Sequence, residues 1–280
     1  MADEIPGEET RCAATLHELQ TRREHGGLRG RVALASYAAR HAGDLVASFR
    51  VLRALPTYDV VTSPSPQGEW LRALTERRTA GVTRRRLGVS VLDLPDTIED
   101  YLRGKQRQAV RTNVSRARRT GLTTVALDDV AAREQAIGVV LAGRRDDPDW
   151  YPERLLVRAR NGRDEMFAVR DAHGTTLALA VITVDTEWAN LGWLLSTPGD
   201  DRAGDARYLL TVDVNAQLIA RGVRHLMVEA SLLLGPGLRY FQRRVGFTLA
   251  NVRFAGASLT PGSRAESRAS RRATGSRRHG

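Results

Sequence analysis

Two groups of residues in this 280-residue chain have types and spacing that could do chemistry. Glu229 closes a run, 225–230, that is otherwise too apolar to hold a carboxylate at low cost. A carboxyl desolvated in that way is a candidate general base with a raised pKa, whereas a strand end that turns it to solvent leaves it an ordinary surface group. The second group lies in the segment 97–120, which carries seven basic residues, Arg103, Lys105, Arg107, Arg111, Arg116, Arg118 and Arg119. Ile98, Leu102, Val110, Val114 and Ala117 recur there at helical spacing, while Arg103, Arg107, Arg111 and Arg118 fall on another face. Like charges four residues apart disfavour a helix by roughly a few tenths of a kcal/mol per pair. An anionic partner would offset that cost, and a phosphate backbone has the required chemistry; a solvated arginine face is the plainer reading.

Other chemistries find no residues to carry them. Cys12 is the single cysteine, and no Cys or His cluster has metal-ligand spacing, so a metal site is not expected and a reducing, cytoplasmic setting is. His173 and His225 read as structural or exposed, and no Ser, His and Asp set points to a covalent nucleophile. The N-terminus is acidic where a signal peptide would be basic, and no apolar run is long enough to span a bilayer. The formal net charge is +11. Residues 256–280 supply a surplus of five, six arginines against Glu266, leaving a moderately basic folded part.

The elements that must position these residues follow from periodicity. Helical spacing over 32–55, ended by Pro56, is followed by a strand at 58–62, an amphipathic helix over 67–79 with Trp70, Leu71 and Leu74 inward, and a strand at 85–94. Asp96, Thr97, Ile98 and Glu99 have the form of a capping box, which predicts one long helix over 97–120 with Gly121 as its stop. A strand at 122–127 and helices over 130–145 and 150–160 come next. The β-rich runs 166–170, 176–185 and 187–196, separated by the turn signals at 171–174 and 185–186, predict an antiparallel meander. A helix over 206–221, a buried strand at 225–230, a short helix over 236–244 and a last strand at 247–254 complete the pattern.

Two segments resemble a known superfamily. Gly104-Lys105-Gln106-Arg107, Val110-Arg111-Thr112-Asn113-Val114 and Arg116-Ala117-Arg118-Arg119-Thr120-Gly121-Leu122 resemble the basic helix of Fem-type aminoacyl transferases and related GNAT-like acyltransferases. The segment 208–254, with Val228-Glu229-Ala230-Ser231 and then Gly237-Leu238-Arg239-Tyr240-Phe241-Gln242-Arg243-Arg244-Val245-Gly246-Phe247, is similar to the end of a GNAT fold. Together they cover about a quarter of the chain.

The resemblance implies a mixed α/β fold built of two GNAT-like subdomains, the first degenerate. Their expected bounds are 13–125 and 126–255, flanked by polar ends at 1–12 and 256–280 whose composition predicts disorder. It also implies that two central parallel strands, 187–196 and 225–230, part to expose backbone groups where an acyl donor docks, and that an amine then attacks the acyl carbonyl directly. Asn190 would line that cleft, beside Glu187, Trp188 and Trp193.

Acetyl-CoA users place a basic or amide residue, then Gly and a second Gly or Ala, at a helix N-terminus after the first of those strands. Here the stretch reads Asp201-Arg202-Ala203-Gly204-Asp205-Ala206. Gly204 fits and Arg202 and Arg207 are cationic, but the aspartates oppose a pyrophosphate. Fem-type enzymes instead take their acyl group from aminoacyl-tRNA, which suits Arg103, Lys105, Arg107, Arg111, Arg116 and Arg118. Gln242 stands where ligases of cell-wall precursors carry Lys, and where many GNAT enzymes carry a catalytic Tyr. Tyr240, two residues away, could protonate a leaving group instead. The sequence therefore predicts aminoacyl transfer from tRNA to a small-molecule or peptide amine or hydroxyl, with no tightly bound cofactor. An acyl-CoA-dependent N-acetyltransferase and a non-catalytic RNA-binding protein are the rivals.

Overall fold

The computed structural model describes residues 39–76, 88–142, 150–228 and 236–254, with a few isolated positions outside those runs. Helix α1 (Ala42–Ala54) stops before Pro56, and β1 (Thr57–Val60), α2 (Pro66–Glu76), the small hairpin β2 (Arg78–Thr79) and β3 (Val82–Thr83), and β4 (Val89–Asp93) follow. Then come α3 (Ile98–Tyr101), a 3-10 turn (Lys105–Arg107), α4 (Gln108–Arg119), β5 (Thr123–Ala126), α5 (Val130–Leu141) and α6 (Trp150–Arg160). Strands β6 (Glu165–Arg170), β7 (Thr176–Asp185) and β8 (Trp188–Ser196) precede α7 (Ala203–Ala220), β9 (His225–Val228), α8 (Pro236–Val245) and β10 (Thr248–Phe254).

Eight strands form one sheet in the order β1-β10-β4-β9-β8-β7-β6-β5. The pairs β1–β10 and β8–β9 are parallel, and the rest are antiparallel, including the predicted β6–β7–β8 meander. Strand β4, from the first half of the chain, sits between β10 and β9 from the second.

The two faces carry separate cores. On one, Leu92, Phe167, Val169, Ala178, Ala180 and Leu226 meet Val110, Val114 and Ala117 of α4 and Leu209, Leu210, Val214 and Leu218 of α7. Burying each such Leu or Val is worth about 1.5–3 kcal/mol. On the other, Leu71 of α2 covers Val89, Val91, Trp188 and Met227, while Ile137 and Val140 of α5 and Leu155 of α6 cover Met166, Leu179 and Val181.

Three expectations about local structure are corrected. The helix over 97–120 is not continuous: α3 ends at Tyr101, and α4 begins at Gln108 after the 3-10 turn. Gly104, at φ 89, occupies the left-handed region that only glycine enters without strain. Arg111 then folds back to donate to the carbonyls of Leu102 and Gly104, satisfying acceptors that the break exposes. The cap also lies one residue later than expected: Thr97, not Asp96, is the N-cap, and its hydroxyl accepts from the Asp100 amide at 3.1 Å. Finally, α2 stops at Glu76, because Arg78 and Thr79 pair with Val82 and Thr83 instead of extending the helix to 79.

Tyr101 joins α3 to the end of α8. Its buried hydroxyl donates to the Val245 carbonyl at 2.8 Å. Burial outweighs the nearby Arg107 charge and pushes the phenol from 10.0 to about 12. The folded chain therefore holds this proton more tightly than the unfolded one, so the group's contribution to stability is intact below pH 10 and falls as the pH rises toward 12. Urea melts on either side of pH 10 should show that alkaline loss, and Tyr101→Phe should flatten it; an unchanged slope in the variant would assign the loss elsewhere.

Candidate active-site cleft

Strands β8 and β9 pair only over Trp188–His225, Ala189–Leu226 and Asn190–Met227. Beyond Asn190, β8 stays on β7 as far as Ser196, so among the described residues 191–196 have no partner on the β9 side. The strands part at a bulge. Ile182 faces Leu191 and Val181 faces Trp193, which leaves Gly192 as the extra residue. A Cβ on Gly192 would collide with the guanidinium of Arg158, so this position admits that side chain only as glycine.

Arg158 is itself tightly held, 3% exposed, on α6. It makes a two-point ion pair with Asp164, Nε lying 2.6 Å from Oδ2, and its Nη2 donates to Thr183 Oγ1 at 2.8 Å. The rings of Trp193 and Trp70 lie 4.9 Å and 5.5 Å from its guanidinium carbon. A buried ion pair thus wedges the sheet where it opens. The result is an antiparallel meander leading into a parallel pair that diverges in front of a helix.

The residues singled out from sequence divide around this opening. Asn190 is wholly buried at the last paired position, in register with Thr183 and Met227, and so on the α2 face of the sheet. Gln242 is buried beneath the opposite face, where its Oε1 accepts from Ser90 Oγ at 3.0 Å. Ser90 is in register with Val228, the last described residue of β9, which places the Ser90–Gln242 pair beside the mouth of the cleft. Glu229 lies outside the described residues.

At the start of α7, Gly204 is exposed, with open space where a side chain would be. Arg202 is committed to its own neighbours: it pairs with Asp200 at 2.9 Å and Asp171 at 3.2 Å, and its amide donates to Asp200 Oδ1 at 2.8 Å. Asp200 first and then Asp171 hold its guanidinium above the ordinary value; Arg202 holds the Asp200 carboxyl below its own, and the Thr175 and His173 amides, ahead of Arg202, do so for Asp171. Tyr240 is half-exposed on α8, and its hydroxyl oxygen accepts from Arg244 Nε at 2.9 Å. Tyr208 stands between α7 and α8 against Phe241, centroids 5.0 Å apart, and burial raises its phenol. Arg207 packs over the Phe241 ring at 5.3 Å.

Much of the cationic face is spoken for within the chain. Arg116 pairs with Asp205 at 2.5 Å and Arg118 with Asp213 at 3.0 Å, so α7 supplies anions that offset the repulsion along α4. Arg107 reaches across to the Arg244 carbonyl at 3.3 Å and lies against Gly246, where a Cβ would strike it. Arg103 is exposed beside Asp100 at 2.9 Å, and Lys105 is exposed on the 3-10 turn. With Arg243 and Arg244 at the end of α8, which contacts that turn, they form a basic surface. His225 sits at the far end of β9 from the opening, stacked on Trp188 at 4.4 Å and bonded to Asp93 at 2.9 Å.

No family model matches the chain, and no curated protein does. Solved structures match in part. The C-terminal domain of a putative lysylphosphatidylglycerol synthetase from Agrobacterium fabrum is 16% identical with a TM-score of 0.43, over 58% of this chain and 57% of that one. The L-PGS from Bacillus licheniformis gives 14% and 0.43 over the same shares, so this chain spans 57% of the length of each. FemX gives 12% and 0.47 over 69% of this chain and 68% of its own. At these identities and scores no substrate or donor passes from those proteins to this one.

Sequence reasoning missed Arg158, Asp164, Ser90 and Tyr208. For Ser90 a signal was present, a hydroxyl in the middle of the apolar run at 89–92. Gly192, inside an otherwise β-forming strand, was the signal for the bulge. Arg158 and Asp164 carried none, since in sequence they are one arginine and one aspartate among many.

Proposed function

We propose that this chain is an acyltransferase that moves an aminoacyl group from aminoacyl-tRNA to an amine or hydroxyl of a small-molecule or peptide acceptor. The observation that carries the reading is the parting of β8 and β9. Among the described residues it leaves the main-chain groups of 191–196 unpaired toward β9, an edge on which an extended donor arm can lie as an added strand. The acceptor then attacks the ester carbonyl, the bond from that carbon to the ribose oxygen breaks, and the departing oxygen takes up a proton. Glu229, past the described end of β9, is the base of this scheme. Tyr240 is its acid, because the Arg244 bond is accepted by the phenol oxygen and leaves the phenol proton available to donate.

The start of α7 favours tRNA over an acyl-CoA donor. A pyrophosphate cradle needs free amides and no opposing charge. Here Asp200 already accepts the Arg202 amide, and Asp205 stands in the first turn of the helix. Arg202 is tied to two carboxylates, so a phosphate would have to displace Asp200 to gain it. The exposed cations around the 3-10 turn lie on the opposite side of the argument, as a surface for a polyanion.

The test uses Arg103 and Lys105, whose side chains are exposed, because Arg107 and Arg111 bond to backbone carbonyls within the fold. Binding of a charged total-tRNA pool and transfer of its labelled amino acids are measured at two salt concentrations, with acetyl-CoA in parallel. Salt-sensitive tRNA binding, weakened about tenfold or more in Arg103→Glu/Lys105→Glu, is the expected result. Saturable acetyl-CoA binding indifferent to these changes, with no tRNA binding, would make the chain an acyl-CoA enzyme. Salt-sensitive tRNA binding without transfer to any amine or hydroxyl would leave a non-catalytic RNA-binding protein.

A further inference from the structure

Among the described residues, four cations on or against α7 are matched by carboxylates. Arg116 has Asp205, Arg118 has Asp213, Arg202 has Asp171 and Asp200, and Arg221 has Glu165. Arg207, in the second turn of the same helix, is half-buried and has no carboxylate partner among the described residues. Its Nε is shut off from solvent with no hydrogen-bond partner, and its guanidinium lies over the Phe241 ring at 5.3 Å. A charge of the same sign bears on it. Arg144 is fixed at the end of β8, where its Nη2 donates to the Ser196 carbonyl and its Nε to the Val140 carbonyl, both at 3.0 Å. Burial first, and then the Arg144 charge, press the Arg207 guanidinium below its ordinary value.

A desolvated guanidinium with an unused Nε donor beside a second cation is costly to fold, because nothing among the described residues returns the lost hydration. The same pair is preorganised for an anion, since a planar fork with free N–H groups takes two oxygens at once and Phe241 fixes its plane. We infer that Arg207 and Arg144 form a subsite for a single oxyanion, a phosphate ester or a carboxylate, carried by a substrate into the open end of the cleft. The place follows from Ser196, the last residue of the free edge of β8, which Arg144 holds. The subsite is separate from the Arg202 amide at the start of α7, which the chain's own Asp200 occupies. It rests on the proposed transferase reading only in taking the anion to belong to a substrate.

The test is calorimetric titration of the full chain, at constant ionic strength set with chloride, with inorganic phosphate, adenosine 5′-monophosphate and glutarate. Arg207→Met, Arg207→Lys and, as a control for simple loss of surface charge, Arg253→Gln are titrated alongside. Saturable binding of at least one anion by the unaltered chain is expected. It should weaken about tenfold or more in Arg207→Met, survive in part in Arg207→Lys, and persist in Arg253→Gln. Without anion, Arg207→Met should melt at or above the temperature of the unaltered chain, because the change removes an uncompensated charge. If Arg207→Met fails to fold, the unaltered chain and Arg207→Lys decide the matter. Phosphate and nucleotide binding without glutarate identifies a phosphate ester; glutarate binding identifies the carboxylate of an acidic substrate. No saturable binding of any of the three, or equal affinity with and without Arg207, overturns the subsite. Arg207-dependent binding in a chain that transfers no acyl group keeps the subsite and removes the transferase, whereas transfer at an unchanged KM in Arg207→Met does the reverse.

Discussion

Asp164→Ala is expected to destabilise the fold by about 3–5 kcal/mol, more than any other single change considered for this chain. The carboxylate is fully buried and its partner nearly so, with side-chain exposures of 0% and 4%. Removing Asp164 leaves the Arg158 guanidinium with Thr183 Oγ1 and two indole faces, none of which carries a full negative charge. Thr183 loses its own acceptor as well, since its hydroxyl donates to Asp164 Oδ1 at 2.5 Å. Replacing both ends, as Arg158→Met/Asp164→Leu, should recover much of the loss, because an apolar pair leaves neither charge uncompensated. Urea unfolding measures this through a lower midpoint at an unchanged slope. A loss below about 1 kcal/mol in Asp164→Ala would show that water reaches the guanidinium, and the wedge would then not hold the sheet open.

Gly192→Val is the second change with a large expected effect. The added side chain would run into the Arg158 guanidinium, which cannot swing aside because Asp164, Thr183 and the two tryptophans enclose it. Overpacking of this kind costs about 1–3 kcal/mol. The bulge that makes β8 diverge must also shift, so donor binding should fall about tenfold or more even where the fold survives. A double-mutant cycle separates the two effects. If the guanidinium is the obstacle, Gly192→Val should cost less in an Asp164→Ala background, where Arg158 is free to move, than in the unaltered chain. Additive losses would locate the strain elsewhere in the strand.

What the sequence revealed and what it hid follow from how far apart the interacting residues lie. The meander was legible because β-branched and aliphatic runs alternate with compact turn signals, and the 171–174 turn is built as its residues imply. Asp171 accepts from the amides of His173 and Thr175, and Gly174 takes φ 82. Gly121 and Gly222 stop their helices in the left-handed region for the same local reason. The break at Gly104 was not legible, because apolar residues keep helical spacing across it and only the return of Arg111 to two carbonyls makes the interruption stable. The placement of β4 between β10 and β9 has no local signature, since each strand there shows only that it is buried. At the site, the basic residues were legible as a group, but not the division among them. Arg116 and Arg118 are tied to Asp205 and Asp213, roughly ninety residues further along the chain, and a pairing so distant leaves no trace in the spacing of either segment.

The order of strands in the sheet also bears on how the chain is made. Asp59 on β1 is joined to Arg253 on β10 across 194 residues, and β10 lies between β1 and β4. During synthesis, β1 and β4 emerge early and remain without their neighbours until the end of β10 has left the ribosome. In that interval Val60, Val89 and Val91, all destined for the interior, have only α2 to cover them. Closure of this half of the sheet therefore waits on β10 and is rich in distant contacts, a combination that slows folding and exposes strand edges to other nascent chains.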